Sequence, residues 1–588
     1  MPHTSNVKDE LVSFFRIRWT QRCQIYFIGS APLHAANPPL ADGKNDAGYP
    51  VPILDGIRTL TMFFGALPNS ASKFEEGPPM ATSSALSASS EQTEVHRLKS
   101  GSLGLVGILL LAFSSAAPLV GCLGNIPLAV AFGNGIGAPA GFIVAMGVLL
   151  CFAVGYVAMT RRLSATGGFY SFISNGLSKP LGLASGLSLM LGYLCVQVAV
   201  LGAIGYFGSA ALKQSFGMDV PWLVIAGIAL VLAAVASYFG VELSAKVLGV
   251  LFIGEIIILA IVNGAIFING GPEGVSLEPI NPINAFGGIA PGIGIFFAFW
   301  SWLGFEVVPN YAEESKNPKK LVPLATYLAV IGIGLILFVT AWATITGFGT
   351  GKVVDETTGL LGQSYISLAQ TYVGAWAADC INWLVITGCF ASVLAFHQTV
   401  SRYIYAIARE GVLFPGKLGH THPRFGSPHH AAVATFFGAG LILALFTAFY
   451  FAAPSAQEFA GNDFNTAAYS EVFGWFAIAC TFWVMLNQIL CSIATIRYHR
   501  LPAHRVHAHW WRTGVAPAIG ALGLAGALYL LWSNLSHLGG DIIWVSLIPW
   551  FCIAWFVFSL LIAFWLRSKR PAAYEGLGRV LSTTADDA

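Results

Sequence analysis

Charge is what this chain has least of. Asp, Glu, Lys and Arg make up 10% of its 588 residues, against about 25% in an ordinary soluble domain. A water-soluble multidomain enzyme of this length is thereby excluded. Disorder over the whole chain is excluded too, because 56% of the residues are hydrophobic. The 30 Lys+Arg and 28 Asp+Glu leave a formal charge of +2, which argues neither for nor against an acidic partner, and nothing favours nucleic acid. Nine cysteines lie mostly inside apolar runs and never form C-x-x-C, so they read as small core residues, not as disulfides or metal ligands. His504-x-x-His507-x-His509 has no neighbouring Cys or acid, and no metal site is assigned to it. Gly133-x-Gly135-x-Gly137 follows no strand, and no phosphate loop or catalytic dyad stands out. Neither an enzyme nor a bound cofactor is expected.

Long apolar runs are what the chain has instead. No charged residue occurs between Gly101 and Thr160, far beyond the roughly 18 residues that mark a spanning helix. Pro127, Asn134, Gly137 and Pro139 divide that stretch in two. The same rule places spans near 103–132, 139–159, 181–207, 220–239, 246–269 and 289–311. Six more follow near 323–346, 374–400, 430–453, 470–496, 514–533 and 543–566. The expected fold is an all-α polytopic membrane protein of twelve transmembrane helices. With the amino terminus inside, inside loops carry 15 cations from Arg161 to Arg512 and outside loops only Lys213 and Lys352. That asymmetry follows the positive-inside rule and puts both termini in the cytoplasm.

Three regions result: residues 1–100, a transporter-sized body over 101–570, and a tail over 571–588. The first hundred residues hold nine Lys+Arg and only short apolar runs, and no signal peptide is visible in them. They read as a disordered cytoplasmic segment. Met80 opens what looks like a natural start, leaving open whether residues 1–79 belong to the working protein.

Two spans carry break signals. In span 1, Phe113-Ser114-Ser115-Ala116-Ala117-Pro118 removes a backbone donor at the proline and surrounds it with small side chains. It is either a simple kink against a neighbour helix or a place where freed backbone meets a ligand. In span 6, Phe297 to Glu306 includes Phe299, Trp300, Ser301 and Gly304. Glu306 is an acid on an apolar helix, where ionised groups are expensive, so it is functional or snorkels to the interface. Breaks in spans 1 and 6 suggest five-helix halves related by inverted topology. Glu255 and His397 are two further titratable groups inside spans; each is either buried packing or a coupling group.

Motifs then add a resemblance. Gly304-Phe305-Glu306 followed by Ala312-Glu313-Glu314-Ser315-Lys316-Asn317-Pro318 and Pro323 resembles the pattern G-F-E…A-E-E-x-K-N-P-x-x-x-x-P of amino acid permeases in the amino acid–polyamine–organocation superfamily. Thr166-Gly167-Gly168-Phe169-Tyr170 is similar to the family's element before helix 3. Ser401-Arg402-Tyr403 through Pro415 and His422-Pro423-Arg424 are similar to its loop after helix 8. The resemblance implies a leucine-transporter-like arrangement, spans 1–5 and 6–10 as inverted repeats with spans 11–12 appended. It implies a substrate carboxylate near Ser114, Ser115, Ala116 and Ala117, and a substrate ammonium near Phe299, Trp300 and Ser301. Trp300 matches an aromatic that closes over substrate, and Glu306 matches the helix-6 acid linked to proton-dependent opening. Where several proton-coupled relatives carry a lysine in span 5, this chain aligns Glu255, which departs from their coupling pattern.

The implied function is a secondary active transporter of amino acids or polyamines in the cytoplasmic membrane. Proton-coupled symport is the first expectation; sodium-coupled symport or exchange is the alternative. Trp300, Glu306, Glu255 and His397 are the gating and coupling candidates. The lipid bilayer and the amine substrate are the partners, and no oligomeric state is indicated.

Overall fold

The computed structural model describes residues 101–578, except 164–166, 412, 506–507 and 540–541. The side chains at 241–248, 250–251 and 459 are also outside the described set. The expectations for residues 1–100, for Met80, Thr166, Val412 and His507, and for 579–588 therefore fall outside it.

A chain in hydrocarbon must satisfy every backbone N–H and C=O internally, and helices do so within one segment. Helices are what forms. Their main sections are α1 (Leu105–Ala116), α2 (Ala138–Thr160), α3 (Lys179–Phe216), α4 (Trp222–Phe239), α5 (Val241–Asn269) and α6 (Pro291–Trp300). They continue as α7 (Pro318–Phe348), α8 (Ala375–Arg409), α9 (His429–Ala452), α10 (Gly474–Arg500), α11 (Ala516–Ser533) and α12 (Ile543–Lys569). Local chemistry marks their ends: Ser178 caps α3 ahead of Pro180, and Gly217 stops it with φ +68°.

Among the described residues, eleven helices are long and apolar enough to cross a membrane. The first runs 56 residues, Leu105–Thr160. At 1.5 Å per residue it would reach about 84 Å, nearly three times a hydrocarbon core. It does not run straight: Gly133 leaves helical geometry and Gly135 has φ +58°. The sequence reading splits the run at this place, which is how it arrives at twelve.

Burial sorts the bundle into a centre and a periphery. In α3 the most apolar window is 83% buried and in Pro291–Glu314 it is 94% buried, whereas in α12 it is 22%. Leu547, Phe551, Phe558, Leu561 and Phe564 of α12 are exposed, as a lipid-facing helix requires. α3 packs against α8, α10, α12 and α4, while α1 packs against α5, α7 and α8. Ahead of α1, Leu103 forms an isolated parallel bridge with Ser315. Its N–H donates to the Glu314 carbonyl (2.9 Å), and its carbonyl accepts from Lys316 N–H (2.9 Å). After α12, residues 571–578 return to the body: Lys179 pairs with Glu575 at 2.6 Å, and Gly578 N–H donates to Tyr170 Oη at 2.9 Å.

Candidate functional site

Both break signals are real interruptions. α1 ends at Ala117, a non-glycine residue with φ +43° and ψ +71°, and the chain re-enters helix at Pro118. A left-handed alanine is strained, and such strain collects at functional sites. α6 ends at Trp300, turns through Ser301–Gly304, and continues as a 3-10 helix over Phe305–Glu314. Gly304 has φ +117° and lies directly on Ser115, so a Cβ there would collide with the Ser115 side chain. The two breaks touch each other.

Polar groups tie them together. Ser115 Oγ donates to its own helix at Leu111 O (2.7 Å), and the Ser115 carbonyl accepts from Ser392 Oγ of α8 (2.9 Å). Asn125 Nδ2 donates to Ser301 Oγ (2.8 Å), which donates to Phe297 O (2.7 Å). Ser114 is buried, with its hydroxyl unpartnered among the described residues. Ala117, Phe299, Trp300 and Ser301 are buried and Ala116 half-buried. The structure thus brings Ser115, on one break, against Gly304, close to Ser301, on the other.

Glu306 is 1% exposed. Its Oε1 accepts from Tyr193 Oη (3.1 Å), its Oε2 from Gly304 N–H (3.0 Å), and its carbonyl from Tyr156 Oη (2.8 Å). Tyr403 lies on Tyr193 with ring centroids 5.7 Å apart. No cation takes part in these bonds. Glu255 of α5 is buried, and a Cβ on Gly388 of α8 would stand 2.7 Å from its Oε1. His397 is fully buried and pairs with Gln197 at 2.8 Å. Gln197 is one turn beyond Tyr193 on α3, so Glu306 and His397 hang from neighbouring positions of one helix face.

Two closures flank the breaks. Toward the Arg402 end, Arg402 grips Glu314 through Nε (2.9 Å) and Nη2 (3.0 Å), with the two side chains 3% and 4% exposed. Its guanidinium also covers the Tyr311 ring at 4.6 Å. Arg409 pairs with Glu313 at 3.0 Å, and Tyr170 Oη bonds Glu410. Toward the other end, Trp300 meets Phe473 edge-on at 5.8 Å, Phe473 stacks on Tyr469 at 5.7 Å, and Tyr469 on Tyr206 at 5.0 Å.

Sequence reasoning missed several of these groups. Arg402, Glu313 and Glu314 entered only as loop charges or motif letters. Glu471 was passed over, although it is a lone acid in an apolar span like Glu255. It is buried in the π-helical turn Ala468–Phe473, with neither carboxylate oxygen hydrogen-bonded among the described residues. His504 stacks on Tyr498 at 4.1 Å, while His509 Nδ1 accepts from Trp511 N–H at 3.2 Å.

The family model described as amino acid permease matches residues 103–576. The branched-chain amino acid permease BcaP of Bacillus subtilis is 28% identical over 326 residues, 52% of this chain and 65% of that protein. The methylthioribose transporter of the same organism is 28% identical over 295 residues, covering 46% and 59%. The low-affinity putrescine importer PlaP of Escherichia coli is 26% identical over 294 residues, covering 49% and 63%. The matched stretch thus spans a little under two thirds of each of these relatives.

Proposed function

Since the chain belongs to the amino acid permease family, we propose that it is a secondary transporter of amino acids or related amines, working by alternating access. It is a multi-pass membrane protein; we further propose the cytoplasmic membrane as its location, with both termini inside. The arrangement would be twelve spans, two five-helix inverted repeats and two appended helices. One observation carries the reading: the breaks of α1 and α6 meet at Ser115 and Gly304, between a closure made of ion pairs and one made of rings. Backbone that leaves helical geometry at membrane depth is tolerated where it lines a site.

In this reading the substrate lies between Ser114–Ala117 and Phe299–Ser301, under Trp300. The carboxyl-terminal end of α6 carries partial negative charge that suits an ammonium, although its Phe299 and Trp300 carbonyls already accept from Trp302 and Leu303 N–H, and Trp300 adds cation–π attraction. Partner classes follow from the relatives' names, branched-chain amino acids and putrescine. We assign proton coupling first to Glu306, because its carboxyl is held by tyrosine hydroxyls and a backbone N–H with no cation to fix its charge. Glu255 and His397 are the competing titratable groups. Sodium-coupled symport or exchange remains the second reading, supported by the Glu255 oxygen left unpartnered near the α1 break.

The test is flux. Purified full-length chain in liposomes is offered radiolabelled leucine or putrescine under an imposed proton gradient, a sodium gradient, or unlabelled substrate inside. Uptake following the proton gradient supports the first reading. Uptake following only sodium or internal substrate replaces it with the second, and no flux under any condition sinks the transporter reading for these substrates.

A further inference from the structure

A cavity of about 730 Å³ opens where α2, α7, α10 and α11 end. Arg161, Arg162, Lys319, Lys320 and Arg512 line it, and no carboxylate does. All five are exposed, and among the described residues none forms an ion pair. This differs from Arg402 and Arg409 of α8, each of which is matched by its own glutamate.

Three features point to an anion. First, five cations around one space repel one another, and nothing within the cavity wall offsets them. Second, Lys319 and Lys320 occupy the first turn of the 31-residue α7, which has no acidic residue there. A helix amino terminus already carries partial positive charge, so this is the position where cations are least favoured. Third, the floor includes the buried Thr513 and His499 and the apolar Val157, giving polar atoms beneath a charged rim.

The level of the cavity suggests the anion's source. Trp510 and Trp511, immediately before Arg512, are 72% and 38% exposed. Exposed tryptophans next to arginines mark the headgroup layer of a bilayer. We propose that this cavity binds a phosphate-bearing anion, supplied by the headgroup of an anionic phospholipid at the membrane boundary. Basic pockets between helices at that depth suit such headgroups. Free inorganic phosphate shares the chemistry and is the other source to separate.

The experiment uses the full-length chain in nanodiscs of phosphatidylcholine with a minor fraction of phosphatidylglycerol, read by native mass spectrometry and by melting temperature. Wild type should retain phosphatidylglycerol preferentially. Arg161→Gln with Arg512→Gln should lose roughly thirtyfold in that preference, from about a fivefold loss per removed cation near the surface. Arg567→Gln with Lys569→Gln, at the end of α12 and outside the cavity, should lose clearly less, because its cations do not converge on one headgroup. Lys319→Gln with Lys320→Gln supplies a sign test if the arginine pair folds poorly. It should melt higher than wild type in pure phosphatidylcholine, by relieving repulsion, yet gain less from phosphatidylglycerol. A third arm adds inorganic phosphate to pure phosphatidylcholine discs. A rise in melting temperature that the arginine pair abolishes supports the anion site and names the soluble ion as its source. Equal retention in wild type and the arginine pair, or equal loss in the α12 control, overturns the proposal, since either outcome reduces the effect to general surface charge.

Discussion

Around Arg402 the bundle is held by charge: two Arg–Glu pairs join α8 to the segment after α6, and a Tyr–Glu bond joins Glu410, just past α8, to Tyr170 ahead of α3. Around Trp300 it is held by rings, four aromatic side chains in sequence from α6 to α3. The two kinds of contact fail differently. A buried ion pair is stable only while both partners stay dry and aligned, and stranding one partner is costly. Once water enters, the same pair is worth about 0–1 kcal/mol. Ring contacts are worth about 0.5–1.5 kcal/mol each and tolerate edge-on and stacked geometry alike. In the proposed alternating-access cycle, opening at the charged end would therefore be abrupt, and opening at the aromatic end gradual.

Arg402→Gln tests the abrupt side most severely. It leaves Glu314 buried without its cation and should cost about 3–5 kcal/mol of stability. Adding Glu314→Gln should restore much of that loss, measured by thermal unfolding in detergent. A double variant as unstable as the single one would mean that the pair acts through packing, not charge. Trp300→Ala addresses the gradual side. It should leave the fold intact and weaken substrate binding by up to roughly tenfold, the scale of one edge-to-face contact. Unchanged affinity by isothermal titration would reduce the ring sequence to ordinary packing.

Glu306 sharpens the comparison, because it is an acid on the charged side of the break that has no cation. Glu306→Gln keeps its shape, its oxygen accepting from Gly304 N–H and its amide nitrogen donating to Tyr193 Oη, so flux between about pH 5 and 8 should vary by less than about twofold, with exchange surviving better than net uptake. A full pH response in that variant, lost instead in Glu255→Gln or His397→Gln, would move the proton site. The smallest effect belongs to Glu273, an exposed carboxylate in the loop before α6. It accepts from Thr350 Oγ1 (2.6 Å), Thr350 N–H (2.7 Å) and Gly351 N–H (3.2 Å). Those donors, the Thr350 hydroxyl first, hold its carboxyl below the ordinary value of 4.5. Its contribution is full above the unfolded value and fades as pH falls through the lower folded one. Glu273→Gln should leave neutral-pH melting nearly unchanged and remove a small acid-side slope; a large drop at pH 7 would contradict it.

Much of this was legible in the residues. Pro118 and Gly304 announce the two interruptions because one removes a backbone donor and the other admits positive φ, both local properties. Trp300, Glu306 and Glu255 stand out because each is unusual on an apolar helix. The Arg402–Glu314 pair was not legible, since its partners are 88 residues apart and only packing brings them together. Tyr193 and Tyr156 were hidden for another reason. Helices such as α3 are apolar on every side, so periodicity does not say which residues face the centre.

The short bridge at Leu103 gives the charged closure a handle. Leu103 is bonded to Glu314 O and Lys316 N–H, which bracket Ser315, the residue that follows the Glu314 held by Arg402. A pull on the chain ahead of residue 101 would be delivered to that glutamate within one peptide unit, before α1 itself bends. In the proposed cycle, opening there would either break two backbone bonds or carry residues 101–103 along. Leu103 is thus geared to the proposed closure, and replacing it with proline, which removes its N–H, should loosen that end while leaving the aromatic end unchanged.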